Sequence, residues 1–167
     1  MPKFIEVKRD IEKGKLKPLY ILTGEEKTVM GKCLDMIPEI QTAPSFKSII
    51  PLLKTGGLFS NSHKIFLIKE DKEVTTLTIN KLLKLIGDGA TVFFIFDKID
   101  KRKKFFEGAK KYIYEFNEIK NAYVYVEQLL GVSTNKAKLI AERCNNDIGK
   151  IDFEVEKLKL LNPDNIT

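Results

Sequence analysis

Apolar residues in this chain follow two patterns, short uninterrupted runs and positions three or four apart, and over the first two-thirds the two alternate. Phe4, Val7 and Ile11 lie at helical spacing, and Gly14 and Pro18 stop that segment. The apolar run at 19–22 then reads as a short buried strand. Val29, Met30, Cys33, Leu34 and Ile37 share one helical face, ended by Pro38. After a loop containing Pro44, Ser45 is placed to cap a helix with the face Phe46, Ile49, Ile50 and Leu53, which Gly56 and Gly57 terminate. Residues 65–68 give a second strand, and Ile79, Leu82, Leu83 and Ile86 form the inner face of the next helix. Gly87 and Gly89 bracket the turn into a third strand at 92–96, and a basic helix carrying Phe105 and Phe106 leads to a fourth at 112–116.

Strands read as continuous apolar runs when both faces of their sheet are covered, and strands alternating with helices require right-handed crossovers. The pattern predicts an α/β fold, a parallel sheet with helices on both faces. Beyond about residue 120 the strand signals vanish. Ala137, Ile140, Ala141 and Cys144 make one helical stripe, and Ile148, Ile151, Val155 and Leu158 make another; Leu129, Leu130 and Val132 read as a shorter helix joining them to the sheet. The prediction is a first domain over 1–119 and a small all-helical domain over 120–167, with the boundary in 117–121.

Composition narrows the function classes. At 167 residues, 43% hydrophobic and 31% charged, the chain has the make-up of a folded globular protein. No apolar run approaches the roughly 20 residues a bilayer demands, and the N-terminus lacks the apolar stretch of a signal peptide, so the expected location is the cytoplasm, with no membrane partner. Two cysteines far apart and a single histidine cannot assemble a zinc set or a redox pair; Cys33 and Cys144 read as buried packing, and no metal is expected. The net charge of +6 favours anionic partners without naming one. Its densest source, Lys98, Lys101, Arg102, Lys103 and Lys104, suits either phosphate neutralisation or a solvated helix start beside a loop.

The first strand ends in a turn, Thr23-Gly24-Glu25-Glu26-Lys27-Thr28, at the place where a phosphate-binding loop would sit. Gly24, Lys27 and Thr28 are the remnants of such a loop, but its first glycine is missing and two carboxylates stand where phosphate would rest. No nucleotide cofactor is expected. Lys69-Glu70-Asp71 after the second strand resembles the acidic end of a metal-binding strand, and reads instead as surface carboxylates. Asp97 and Asp100 read as ion-paired turn residues rather than an acid/base pair, and His63 as a polar-loop residue without a nucleophile beside it. No catalytic residue is assigned.

One segment resists a bland explanation: in Gly56-Gly57-Leu58-Phe59-Ser60-Asn61, two large apolar residues follow a glycine pair and precede a polar turn. Exposed, Leu58 and Phe59 form a plug able to fill a partner's pocket; folded back, they are core.

KPLYILTGEE, GGLFSNSHKIFLIKE, FDKIDKRKKFFEGAKK and GVSTNKAKLIAERCNNDIGKIDFEVEKLKLL follow one another in an order that resembles the delta subunit of the bacterial clamp loader, the part of the replicative DNA polymerase holoenzyme that opens the sliding clamp. The resemblance implies a degenerate AAA+-like domain without a working ATP site, then a helical lid. It implies that Leu58 and Phe59 bind the DNA sliding clamp, and that other clamp-loader subunits and primer–template DNA are partners, the latter through residues 101–104. Family members carry a further apolar residue two places before the leucine, where this chain has Gly56; weaker clamp affinity or a different pocket is the expected consequence. A shorter stretch before Pro44 suggests a divergent or phage-like version, and no collar domain follows the lid, so a fragment or a truncated relative is expected. An ATPase using Lys27 and Thr28, and a DNA-binding module using residues 101–104, are the rival readings.

Overall fold

The structure, a computed structural model of the chain, describes residues 4–55, 62–117 and 119–161. It divides into two compact units, residues 1–117 and 118–167.

In the first unit the elements run α1 (Phe4–Glu12), β1 (Leu19–Thr23), α2 (Lys27–Asp35), β2 (Gln41–Ala43), α3 (Phe46–Lys54), β3 (Lys64–Lys69), α4 (Ile79–Ile86), β4 (Ala90–Phe96), α5 (Lys104–Gly108) and β5 (Ile113–Glu115). All strand pairings are parallel, and the order across the sheet is β2-β3-β4-β1-β5. The three longest apolar runs became its three inner strands, and every residue of β1 and β4 is buried. This is the arrangement expected of an AAA+-like sheet, with β1, the strand before the degenerate turn, lying between β4 and β5.

Alternation along the strands divides the core in two. Leu19, Ile21, Phe66, Ile68, Val92 and Phe94 point to the face covered by α3, α4 and α5, where Phe46, Ile49, Leu82, Phe105 and Phe106 complete one cluster. Tyr20, Phe93 and Tyr114 point to the opposite face. There Tyr20 stacks on Phe93 with ring centroids 4.7 Å apart, and Phe4 of α1 meets Phe116 at 5.2 Å. The expected local signals operate: the Ser45 side chain accepts from the Ser48 N–H (3.2 Å), and Gly14 leaves α1 at φ +63°.

Three details differ from the sequence reading. A fifth strand, β2, pairs with β3 at the sheet edge where a loop was expected; its Gln41 and Thr42 are exposed, so no apolar run announced it. The last strand is shorter than expected, since Tyr112 belongs to a 3₁₀ turn and Ile113 opens the ladder. Asp71 is not a surface carboxylate. It is buried, and its two oxygens accept the backbone N–H groups of Phe46 (2.7 Å) and Val74 (3.2 Å), fixing the start of α3 to the end of β3.

The second unit holds α6 (Ala122–Leu130), α7 (Thr134–Arg143) and α8 (Ile148–Leu161). Val126, Ala137, Ala141, Ile151 and Val155 are fully buried, and the buried Asp152 accepts a short hydrogen bond (2.5 Å) from the Tyr125 hydroxyl. The helix α6 starts earlier than expected and excludes Val132: the alternating Tyr123-Val124-Tyr125-Val126 obscured its period, and Gly131, at φ +65°, ends it.

Candidate functional site

The strand–turn–helix corner after β1 is the place where this sheet type ordinarily handles phosphate, through amides left free at a helix start. Gly24 occupies it with φ +125°, and a Cβ there would fall 2.1 Å from the Phe116 carbonyl oxygen. The reason is main-chain packing. Phe116, just past β5, donates its N–H to the Thr23 carbonyl (2.7 Å), and its own carbonyl accepts the Glu26 N–H (2.9 Å). The amide of Glu26, at the N-cap of α2, is therefore already used by the protein's own backbone.

The side chains around the corner are matched in the same way. Lys27 Nζ lies 2.9 Å from Asp97 Oδ1, both largely exposed, and Thr28 faces solvent. The Thr23 hydroxyl donates to the Asp97 carbonyl (3.4 Å), and the Asp97 N–H donates to the Glu70 carboxylate. Glu70 itself adopts φ +52° at the end of β3. Gly24, Lys27 and Thr28 thus stand together, as the sequence placed them, but Lys27 faces a carboxylate and the turn faces a carbonyl. The closure by Phe116 was not visible in the sequence beyond the presence of Gly24.

Asp100 is held by Arg102, whose Nε lies 3.0 Å from Oδ1 and Nη2 3.3 Å from Oδ2; these bonds hold the carboxyl below its ordinary range. Asp97 and Asp100 are each paired with a cation, Lys27 and Arg102. His63 Nε2 lies 2.7 Å from Thr91 Oγ1. Because the Thr91 hydroxyl gives its proton to the Lys17 carbonyl (2.9 Å), it can only accept from His63, so Nε2 carries the hydrogen and is not available as a base. Cys33 and Cys144 are buried, and burial pushes the Cys144 thiol up, away from thiolate reactivity. Among the described residues no group of three His, Cys, Asp or Glu side chains could hold a metal, and no helix is long and apolar enough to cross a membrane.

The basic stretch runs from the end of β4 into α5, with Lys101, Arg102, Lys103 and Lys104 all exposed. Two of the four are neutralised locally, Lys101 by Glu115 (2.7 Å) and Arg102 by Asp100. Lys103 and Lys104 make no ion pair with any described residue. The cluster is therefore weaker than its sequence suggests.

Leu58 and Phe59, with Gly56 and Gly57, lie outside the described residues. On either side of them, Leu52 near the end of α3 is 44% exposed, and Lys64 at the start of β3 donates from Nζ to the Leu52 carbonyl (2.8 Å).

No protein-family model and no curated protein sequence matches the chain. A solved structure does: the chain is similar in fold to the Bacillus subtilis DNA clamp loader delta protein (YqeN), with a TM-score of 0.70 and 18% identity, over 92% of this chain and 56% of that one.

Proposed function

We propose that this chain acts as a clamp-loader delta-type subunit, binding a DNA sliding clamp through Leu58 and Phe59 and catalysing no reaction itself. The observation that carries the reading is the fold likeness to a clamp loader delta protein over 92% of the chain. The corner geometry supports the non-catalytic part, since the Glu26 amide and the Lys27 ammonium already have protein partners.

On this reading the subunit opens the ring by binding the opened ring more tightly than the closed one, as a ligand shifts an equilibrium only by its differential affinity. Other loader subunits supply the hydrolysis. Lys103 and Lys104 add sequence-independent contact with primer–template DNA, with a shallow salt dependence in proportion to two phosphates.

The test is titration of a sliding clamp with the wild-type chain and with Leu58→Ala and Phe59→Ala. Burying each side chain is worth ~1.5 to 3 kcal/mol, so each substitution should weaken binding about tenfold to a hundredfold. Unchanged affinity in both variants removes the mechanism.

A further inference from the structure

The helical unit leaves a groove of about 790 Å³ lined by α7 and α8. Its apolar lining includes Val132, Leu139, Ile140, Phe153 and Leu158, of which Leu139 is 59% and Phe153 72% exposed. The cause lies in the sequence of α8. Ile151 and Val155 face inward and are fully buried, yet Phe153, Leu160 and Leu161 point elsewhere and stay in water, so α8 is apolar on more sides than its own unit covers. Exposed apolar surface of this kind marks an interaction site.

The charges around the groove indicate what covers it. Asp147 and Glu154 contribute carboxylates, and both are engaged: Asp147 Oδ1 accepts the Lys150 N–H (2.9 Å) at the start of α8, and Glu154 pairs with Lys157 (3.4 Å). Arg143 and the Lys150 ammonium also line the groove and form no ion pair with any described residue. An amide leaves the Asp147 charge in place, but Lys136, Arg143 and Lys150 outnumber Asp147 and Glu154, so the lining is net cationic. We infer that this groove docks an amphipathic helix of a partner protein, apolar along one face and flanked by Asp or Glu.

Apolar anchors enter between Leu139 and Phe153 while the acidic flank meets Arg143 and Lys150. A ten-residue helix such as α7 spans ~15 Å at 1.5 Å per residue, so a ligand helix of about three turns matches the groove. A second copy of this chain presenting the same face would set that cationic rim against itself. This surface is independent of the Leu58-Phe59 reading, and either can fail alone.

The experiment uses the full chain and two fluorescein-labelled synthetic peptides of about three helical turns. Both carry leucines on one face with alanine and glutamine elsewhere; one has flanking glutamates, the other lysines at the same positions. Fluorescence anisotropy should show the acidic peptide binding at least about tenfold more tightly than the basic one. Phe153→Ser and, separately, Leu139→Ser should each weaken it about tenfold or more, with unchanged circular dichroism showing that the variants are folded. Arg143→Glu combined with Lys150→Glu should reverse the preference. The inference is overturned if the acidic peptide does not bind, if both peptides bind equally, or if neither serine variant has an effect. It is equally overturned if sedimentation shows the chain self-associating through this face, with Phe153→Ser dispersing the oligomer.

Discussion

The two units of this molecule differ in what they leave unmatched. Along the strand ends of the α/β unit, Lys27 meets Asp97, Lys101 meets Glu115, Arg102 meets Asp100, and Glu70 accepts the Asp97 N–H. Its central strands are wholly buried, and the corner after β1 is filled by the Phe116 main chain. The helical unit keeps a compact interior but leaves more apolar surface in water, Leu139 and Phe153 at a groove shared with Arg143 and Lys150, and Leu160 and Leu161 besides, all more exposed than Leu52 or Met36 of the α/β unit. The difference teaches that at the corner after β1 the helix-start amide of Glu26 and the Lys27 ammonium already have partners within the chain. Surfaces available to partners are found where side chains remain without a counterpart.

The largest test of that contrast is Gly24→Ala. The substituted Cβ would sit 2.1 Å from the Phe116 carbonyl oxygen at a φ of +125°, and the obstacle is backbone, which cannot swing aside. Strain and lost packing together should cost the α/β unit at least about 3 kcal/mol in urea denaturation. A loss under about 1 kcal/mol would show that the corner can open, and would return phosphate binding to consideration.

How far the sequence disclosed all this depended on whether the deciding partner was near or far along the chain. Strands β1, β3 and β4 were legible because burial on both faces leaves an unbroken apolar run, and the Ser45 cap because its acceptor is three residues away. The edge strand β2 was not, since an exposed edge has no hydrophobic signature. Asp71 reads as a surface residue until Phe46, 25 positions earlier, is seen to donate to it. Gly24 was recognisable as a turn, but its closure by Phe116 is a contact between distant segments. In α8 the stripe Ile148, Ile151, Val155 and Leu158 pointed to the inward side, and the off-stripe Phe153, Leu160 and Leu161 were the overlooked signal of an outward apolar surface. The pairing of Lys101 and Arg102 with neighbouring carboxylates likewise reduced a cluster that composition alone made conspicuous.

A smaller effect tests whether the polar groups inside the α/β unit are as fully matched as those at its rim. Tyr20 is buried, donates its hydroxyl to Asp10 (2.8 Å) and accepts the Lys17 N–H (2.9 Å). Burial foremost, with Asp10 adding, pushes its phenol above the ordinary tyrosine range. A raised folded pKa favours the protonated form, so this stabilisation is complete below about pH 10, the unfolded value, and is lost as pH rises beyond it. Tyr20→Phe should therefore cost about 1 kcal/mol at pH 8, and the gap from wild type should shrink between pH 10 and 11. Lys17, also titrating upward of its ordinary range through its bond to Tyr114, is common to both proteins and cancels in the difference. A gap that stays constant across that interval would mean that Tyr20 is not the matched interior group described here.

The smallest effect falls in the helical unit, and its smallness is the point. Phe153 is as large as Phe93, yet Phe93 is fully buried and stacked on Tyr20, where truncation to alanine removes ~3–5 kcal/mol, whereas Phe153 is 72% exposed. Phe153→Ser takes little away from the interior and makes the surface more polar, so the stability of the unit should change by no more than about 0.5 kcal/mol. Thermal denaturation followed by circular dichroism measures this directly. A loss above about 1.5 kcal/mol would mean that Phe153 belongs to the core, that α8 has no outward apolar side, and that the contrast between a matched and an unmatched unit fails. A near-zero change retains the contrast and makes Phe153→Ser a clean probe of partner binding, because any affinity it removes cannot then be ascribed to unfolding.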